Sequence, residues 1–319
     1  MTSRPAHRTV HAATGALAAA VLLTLAGCGA DEPAAPPRTI ESSVQPPAIR
    51  RDLPYAAPDG ARLTLDAYLP MRRGEPVPAV VLVHGGGFVG GAKDTGGMVA
   101  MARRLQDHGV AALTISYRLA PESTYPAPVD DVRTAVAWLR APEQQESLGV
   151  DPDRVALLGT SAGATLALTA AARPATETGV RAVVALSAAT LLTADGLALG
   201  TPAATEVESA LAYLGCDAPE TCATGAPASP ALAVAPAASP ALLVNGTAEM
   251  IPVGHAQAMA DALAAAGVPH ELVTVEGEAH GAELLDDAVW RTVLEFLDTH
   301  LAVVGTAATP AAPTAGAAG

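Results

Sequence analysis

The feature that most constrains this chain is a serine between glycines, directly after a short apolar run. Gly-Thr-Ser-Ala-Gly occupies residues 159–163, after the apolar run Val155–Leu158 and before an alanine-rich stretch. This order of strand, tight turn and helix exposes a serine hydroxyl at the top of a sheet. The flanking glycines permit the strained turn and the close approach of strand and helix. The pattern therefore predicts that Ser161 is a nucleophile.

A second glycine motif, His-Gly-Gly-Gly-Phe at residues 84–88, follows the apolar run Ala79–Val83. By chance a chain of this composition would contain about 0.1 matches to the serine motif and about 0.006 to His-Gly-Gly-Gly, so the pair in this order indicates a functional site. We expect the backbone N–H groups of Gly86, Gly87 and Ala162 to form an oxyanion hole, because side chains there would block the approach of a substrate. The alternative is that both motifs are only tight turns.

A histidine farther along the chain completes the nucleophilic pattern. His280 lies in Gly-Glu-Ala-His-Gly at residues 277–281, after the strand-like run 270–275. A loop histidine that follows the last strand, C-terminal to the serine and the acid, fits the chain order of one class of serine hydrolases. We predict that His280 takes the proton of Ser161 and later gives it to the leaving group.

On these residues the chain resembles the α/β-hydrolase esterases, in the group that includes hormone-sensitive-lipase-like carboxylesterases and deacetylase and feruloyl-esterase relatives. The resemblance covers roughly residues 50–302 and includes Tyr-Arg-Leu-Ala-Pro-Glu at 117–122 and Asp-Pro-Asp-Arg-Val at 151–155. The hormone-sensitive-lipase branch usually has Asp and a second Gly where this chain has Thr160 and Ala164, which favours the deacetylase and feruloyl-esterase side. The resemblance implies an α/β-hydrolase fold.

The acid of the triad is the least determined residue. In the resembled group His-Gly-x-x-Asp usually follows this strand, with a proline four residues beyond the Asp, whereas this chain has Asn245 for the His. Glu249 stands at the acid position counted from Gly246, and one residue off counted back from Pro252. We predict Glu249, since a glutamate can fix the imidazole tautomer and stabilise its cation. Asp195, or a Ser-His dyad without an acid, is the alternative.

Strand-like and helix-like stretches alternate along the chain, which indicates βαβ units and a mostly parallel sheet flanked by helices. We expect strands at about 62–69, 79–83, 111–116, 155–159, 181–187, 240–244 and 270–275, and helices at about 95–108, 129–140, 162–172, 205–213, 255–266 and 284–301. Residues 190–239 are rich in Ala, Pro and Gly and lie between two strands. We expect them to form a small cap or loop insertion near the serine's end of the sheet.

The cysteine pair within this insertion suggests a covalent link. Cys216 and Cys222 are an even pair in a chain that we expect to be exported, which favours a disulfide that closes a small loop. Free thiols are one alternative. A zinc site is another, although neither a His nor a third Cys lies nearby in the sequence. We expect no metal and no cofactor.

The N-terminus has the pattern of an export signal. Arg4, His7 and Arg8 precede an apolar run over about residues 15–25, which is too short for the about 20 residues that span a bilayer. Leu-Ala-Gly-Cys at 25–28 resembles a bacterial lipobox, which implies a lipoprotein signal peptide over residues 1–27 and a diacylglycerol on Cys28. An ordinary cleaved signal is the alternative.

The predicted domain order follows from these segments. Residues 28–49 are the lipidated cysteine and a Pro-rich linker, 50–302 the catalytic domain, and 303–319 a disordered tail without apolar periodicity. The formal net charge of −14 at pH 7 repels nucleic acid and anionic head groups. We therefore expect no nucleic-acid partner, and attachment to the outer face of the membrane through lipid alone.

These features predict a serine esterase that hydrolyses short-chain carboxylic esters through an acyl-enzyme. The chain has only 2 Phe, 2 Trp and 5 Tyr, which gives few side chains to stack on sugar rings, and Phe88 and Tyr125 are candidate pocket walls. A deacetylase or peptidase on the same scaffold is one alternative, because the same machinery serves any acyl transfer. A non-catalytic surface lipoprotein is another.

Several polar residues are expected to be structural. We expect His84 to brace the glycine loop, Arg118 to pair with Asp130 or Asp131, and no catalytic role for Lys93. The histidines at helix or strand ends are expected to be solvated; they are His108, His255, His270 and His300.

Overall fold

The computed structural model describes residues 44–302, and strands and helices alternate through this range. The strands are β1 Val44–Gln45, β2 Ala48–Ala56, β3 Leu63–Leu69, β4 Arg72–Arg73, β5 Val77–Val83, β6 Ala111–Ile115, β7 Val150–Thr160, β8 Ala182–Leu186, β9 Ala241–Gly246 and β10 His270–Val275. The α-helices are α1 Gly96–Asp107, α2 Ala127–Leu139, α3 Pro142–Leu148, α4 Ala162–Ala171, α5 Ala175–Thr178, α6 Ala194–Leu197, α7 Ala204–Leu214, α8 Gly225–Ala228, α9 Val253–Ala265 and α10 Asp287–Leu301.

Eight of these strands form one sheet in the order β10-β9-β8-β7-β5-β6-β3-β2, and β1 pairs with β4 in a separate antiparallel ladder. The strands from β10 to β6 run parallel, whereas β3 and β2 complete the sheet with antiparallel pairing. The register pairs Val83 with Gly159 and Thr160 with Leu186. The loops that follow β5, β7 and β8 therefore leave the sheet at the same carboxyl edge.

Helices cover both faces of the sheet, which explains why the central strands are apolar without alternation. In β5, Val81 and Val83 point into one core with residues of α2, α4 and α9. Val80 and Leu82 point into the other core with residues of α1 and α10. The predicted α/β-hydrolase fold, with a mostly parallel sheet between helices, is confirmed.

The sequence did not reveal the strand β2, because its first residues fall in the Pro-rich stretch that we assigned to the linker over 28–49. β1 and the start of β2 lie within that stretch, so regular structure begins before the predicted domain boundary at residue 50. Among the strands of residues 44–302, β2 lies at the edge of the sheet and pairs with β3 alone. Its exposed residues include Arg50, Arg51 and Asp52, and charged side chains are common at protected sheet edges. A polar strand of this kind lacks the apolar run by which a buried strand is recognised in a sequence.

The insertion between β8 and β9 contains α6, α7 and α8 and covers the carboxyl edge of the sheet. Cys216 and Cys222 form a disulfide there, with 5.5 Å between their Cα atoms. The predicted signal peptide, Cys28, most of the linker and the tail lie outside the described residues. Within residues 44–302, no helix has both the length and the apolar character needed to cross a membrane, and no group of three or more His, Cys, Asp or Glu side chains could hold a metal ion.

Candidate active site

Ser161 occupies the turn between β7 and α4 in a strained backbone conformation. Its φ is 53° and its ψ is −124°, a region that residues with a side chain rarely adopt. A Cβ added at Gly159 would lie 2.3 Å from the Gly163 carbonyl oxygen, and one added at Gly163 would lie 2.2 Å from that of Val83. Both glycines are therefore required by close backbone approach. The strained turn raises the Ser161 side chain above the carboxyl edge of the sheet.

The glycine loop after β5 lies against this serine. A Cβ placed on Gly85 would come within 3.0 Å of the Ser161 Cβ, and Gly86 and Gly87 have φ values of 123° and 60°. Within residues 44–302, the N–H groups of Gly86, Gly87 and Ala162 donate to no protein acceptor. Ala162 is also the first residue of α4, where helix N–H groups are free and the helix dipole favours negative charge. These three donors are available for an anion beside Ser161.

His84 holds the base of this loop. Its ring stacks on Tyr117 with 4.3 Å between centroids, and the Tyr117 hydroxyl donates to the His84 carbonyl oxygen at 2.9 Å. The His84 Nδ1 lies 2.7 Å from the Gly85 carbonyl oxygen, which can only accept, so Nδ1 carries the proton. Burial lowers the pKa of His84 and favours the neutral ring. His84 lies where it can brace the loop.

Glu249 and His280 contact each other from neighbouring loops. The Glu249 Oε2 contacts the His280 Nδ1, and the Glu249 side chain is fully buried whereas that of His280 is 26% exposed. The other carboxylate oxygen accepts hydrogen bonds from the Gly246 N–H and the Ser187 hydroxyl, both at 2.8 Å. Asp195, the alternative acid, lies on α6 and is exposed. The geometry thus brings Glu249, and not Asp195, to the histidine.

Asn245 has a structural role at the position where the resembled esterases carry histidine. Its side-chain amide donates to the carbonyl oxygens of Gly246 at 3.0 Å and Ile251 at 2.9 Å. These two bonds join the ends of the loop over residues 245–252, which carries Glu249 and is called the acid loop below. The Ala248 N–H also donates to the Gly277 carbonyl oxygen at 2.9 Å, which joins the acid loop to the loop of His280.

Ser187 belongs to the site although the sequence analysis did not select it. It directly follows β8, is fully buried and has a φ of 58°. Its hydroxyl donates to Glu249 and accepts a hydrogen bond from the Gly281 N–H at 2.8 Å. The sequence predicts only that residue 187 ends a strand over about 181–187. Its place at the same carboxyl edge as Ser161 was the one signal that could have singled it out.

Ser161 and His280 open into one pocket of about 510 Å³. The glycine loop and Ala162 line one side of the pocket, and residues of α6, α7 and the segment between them line the other. Phe88 is part of the wall, as predicted. Tyr125 is not among the lining residues, because its hydroxyl turns away to donate to the Pro227 carbonyl oxygen at 2.9 Å.

The predicted solvation of His255 is wrong. His255 lines the pocket and is only 4% exposed, since the insertion between β8 and β9 covers the start of α9. Two other polar residues that we expected to be structural, Arg118 and Lys93, form ion pairs. Arg118 pairs with the buried Asp131, and Lys93 pairs with Asp66 and Asp52 away from the pocket.

Comparison with known proteins agrees with this architecture. Residues 65–263, more than half of the chain, match the family model described as BD-FAE. An ethyl acetate hydrolase of Pseudomonas putida is 35% identical over 130 residues, which cover 40% of this chain and 40% of that enzyme. The chain thus matches less than half the length of this relative.

Solved structures resemble the chain over most of its length. A truncated carbohydrate esterase from gut microbiota superposes with a TM-score of 0.70 at 19% identity, over 82% of this chain and 98% of that one. Esterase 2 of Thermogutta terrifontis, phosphonylated by sarin, superposes with a TM-score of 0.64 at 23% identity, over 84% and 97% of the two chains. These two structures share the fold. The chain belongs to the BD-FAE family, on an α/β-hydrolase fold.

Proposed function

We propose that this protein is a serine esterase that hydrolyses short-chain carboxylic esters. The observation that carries the proposal is that Ser161, the glycine loop and His280 line one pocket, and that the buried Glu249 contacts His280. The similarity to an ethyl acetate hydrolase, and to an esterase that sarin phosphonylates, supports the same assignment.

In the proposed reaction Ser161 attacks the ester carbonyl carbon while His280 Nε2 takes the hydroxyl proton. The proton on His280 Nδ1 faces Glu249, whose carboxylate fixes this tautomer and stabilises the imidazolium. His280 then gives its proton to the leaving alcohol, and an acyl-enzyme remains on Ser161. Water, activated by the same histidine, hydrolyses the acyl-enzyme and releases the carboxylic acid.

The tetrahedral intermediate places a negative charge on the former carbonyl oxygen. The N–H groups of Gly86, Gly87 and Ala162 are the proposed donors for this oxyanion, and the contacts of His84 with Tyr117 support the loop that carries two of them. Losing one such donor costs about 3 kcal/mol of activation free energy in serine hydrolases.

The pocket suits a small acyl or alcohol group. Its volume of about 510 Å³ lies in the lower half of the range for small-molecule sites. The wall from the insertion is mostly apolar, with Leu192, Leu197, Leu199 and Pro202 among its residues. This wall would contact the hydrocarbon part of a small ester.

The test is turnover of p-nitrophenyl acetate, butyrate and octanoate by the wild type and by Ser161→Ala, together with labelling by a fluorophosphonate probe. We expect turnover that declines for octanoate, and loss of both turnover and labelling in Ser161→Ala. Equal rates in the two proteins would overturn the assignment. The matched p-nitroanilides distinguish an esterase from a deacetylase or peptidase, because an amide-directed enzyme would cleave them at comparable rates.

We also propose that the protein is anchored to the outer face of the cell membrane through a lipid on Cys28. The support is the sequence Leu-Ala-Gly-Cys after a short apolar run. Cys28→Ala should move the protein to the soluble fraction or stall its processing. A mature N-terminus elsewhere, without lipid in mass spectrometry, would contradict the proposal.

A further inference from the structure

One polar side chain in the pocket is not used by the proposed reaction. His255 lies in the first turn of α9, next to the acid loop, and lines the pocket that Ser161 and His280 share. It is 4% exposed, so its ring is held within the pocket wall and is not free in solvent.

The hydrogen bonds of His255 fix its tautomer. Its Nδ1 lies 3.2 Å from the backbone nitrogen of Thr190 and 3.3 Å from that of Leu191. Backbone N–H groups can only donate, so Nδ1 accepts from both and carries no proton. In the neutral ring the proton is therefore on Nε2.

The ring is neutral and rigid in this position. Burial lowers the pKa of His255 to about 4, which leaves the ring uncharged at neutral pH. The Thr190 hydroxyl donates to the His255 carbonyl oxygen at 2.6 Å and ties the start of α9 to the segment after β8. Residues 190–191 thus hold both the backbone and the ring of His255.

The Nε2–H of His255 has no acceptor among residues 44–302, although the ring borders the pocket. Its neighbours in the wall include Leu192, Ile251 and Pro252, which offer no side-chain acceptor. A donor fixed in a mostly apolar wall favours a ligand that places an acceptor opposite it, because a ligand without one would displace water and leave the N–H without a partner.

We propose that His255 is a substrate-binding residue whose Nε2–H donates to a second oxygen of the substrate, outside the scissile ester group. The substrate class is an ester whose acyl or alcohol part carries an ether, carbonyl or hydroxyl oxygen. This inference rests on the proposed esterase function and names the substrates that the pocket selects.

The experiment compares esters that differ by one oxygen in place of one CH₂ group. In the acyl arm, p-nitrophenyl methoxyacetate, methoxypropanoate and methoxybutanoate are paired with butanoate, pentanoate and hexanoate. In the alcohol arm, acetates of alkoxy alcohols are paired with acetates of alkanols of the same length. Each ratio of kcat/KM is divided by the ratio of hydroxide-catalysed rates, which removes the electronic effect of the oxygen.

We expect the wild type to favour the oxygen-bearing ester about 3- to 10-fold at one oxygen position in one arm, as one neutral hydrogen bond would give. His255→Asn places an amide oxygen near the position of Nδ1 for the two backbone N–H groups but has no donor at the position of Nε2, so the preference should vanish. His255→Gln reaches the position of Nε2 with an amide donor and should keep part of it.

The wild-type ratios can overturn the proposal without any variant, and the His255 variants assign a preference to this residue. Ratios equal to those of hydroxide at every position in both arms would overturn it, while leaving the esterase function intact. If no ester is hydrolysed, the esterase function fails separately. Binding of the same ester pairs to Ser161→Ala, measured by calorimetry, then decides whether His255 selects the oxygen.

Discussion

The Ser187 hydroxyl donates a hydrogen bond to Glu249, and it accepts one from the Gly281 N–H beside His280. One side chain therefore contacts both the carboxylate and the loop of the histidine that this carboxylate orients. Because Ser187 does not reach the pocket lining, we regard it as a positioning residue.

Ser187→Ala should lower kcat about 10-fold with little change in KM, because the carboxylate loses one donor and the Gly281 N–H loses its acceptor. Ser187→Gly removes the same hydroxyl but tolerates the φ of 58° better than Ala does. The two variants should share the loss of kcat and differ in thermal stability. Full activity in both would show that the hydroxyl does not position the pair.

Glu249→Gln should lower kcat by at least about 10²-fold with the fold intact, because an amide cannot stabilise the imidazolium as a carboxylate does. Asp195→Asn is the matched control and should have little effect, since Asp195 is exposed on α6. Steady-state kinetics and circular dichroism of both variants check this. The reverse pattern would move the acid to Asp195.

The stability of the protein should fall between pH 6.5 and about 4 because of His255. The folded state holds the pKa of His255 near 4, below its ordinary value of 6.5, so the unfolded chain binds this proton first as the pH falls. The stabilisation is complete above pH 6.5, and roughly 3 kcal/mol of it is lost by pH 4.

Urea denaturation at a series of pH values measures this loss, and His255→Asn should flatten the dependence. His108→Asn is the control. His108 is at the surface beside Asp298, and His108→Asn leaves the buried His255 ring in place, so the acid lability that His255 causes should remain. An unchanged curve in His255→Asn would assign the acid lability to other groups.

Reduction of the Cys216–Cys222 disulfide should loosen the insertion more than the whole fold. A six-residue separation gives an entropic stabilisation of about 2 kcal/mol. Hydrogen exchange should accelerate in residues 204–228 and stay slow in the central strands. Because α7 lines the pocket, KM should rise more than kcat falls. Two thiols titrated in unreduced, denatured protein would contradict the bond.

The sequence was sufficient for the parts of the site that depend on local backbone geometry. The turn at Ser161 and the glycine loop require glycines at fixed positions, and the apolar runs before them mark buried parallel strands. His280 followed from chain order. These features are visible because the residues that make them are neighbours in the chain.

The features that the sequence did not reveal depend on contacts between distant segments. Ser187 acts through Glu249, 62 positions away, and His255 is buried by residues 190–191, about as far from it. From sequence alone, a histidine at the start of a helix is expected to be solvated. His255 is buried because the distant insertion between β8 and β9 covers it. β2 was missed because an edge strand needs only one apolar face and can be polar on the other.

The position of the catalytic carboxylate depends on two lengths, that of the acidic side chain and that of the loop that carries it. The carboxylate of Glu249 has to reach Ser187, Gly246 and His280 at once, from a loop whose ends Asn245 fixes. A shorter acid at this position would need one more residue in the backbone, and a longer loop would push a glutamate past its partners. Chimeras with relatives should therefore exchange residues 245–252 as one segment, since the length of the acid side chain and the length of the loop have to match.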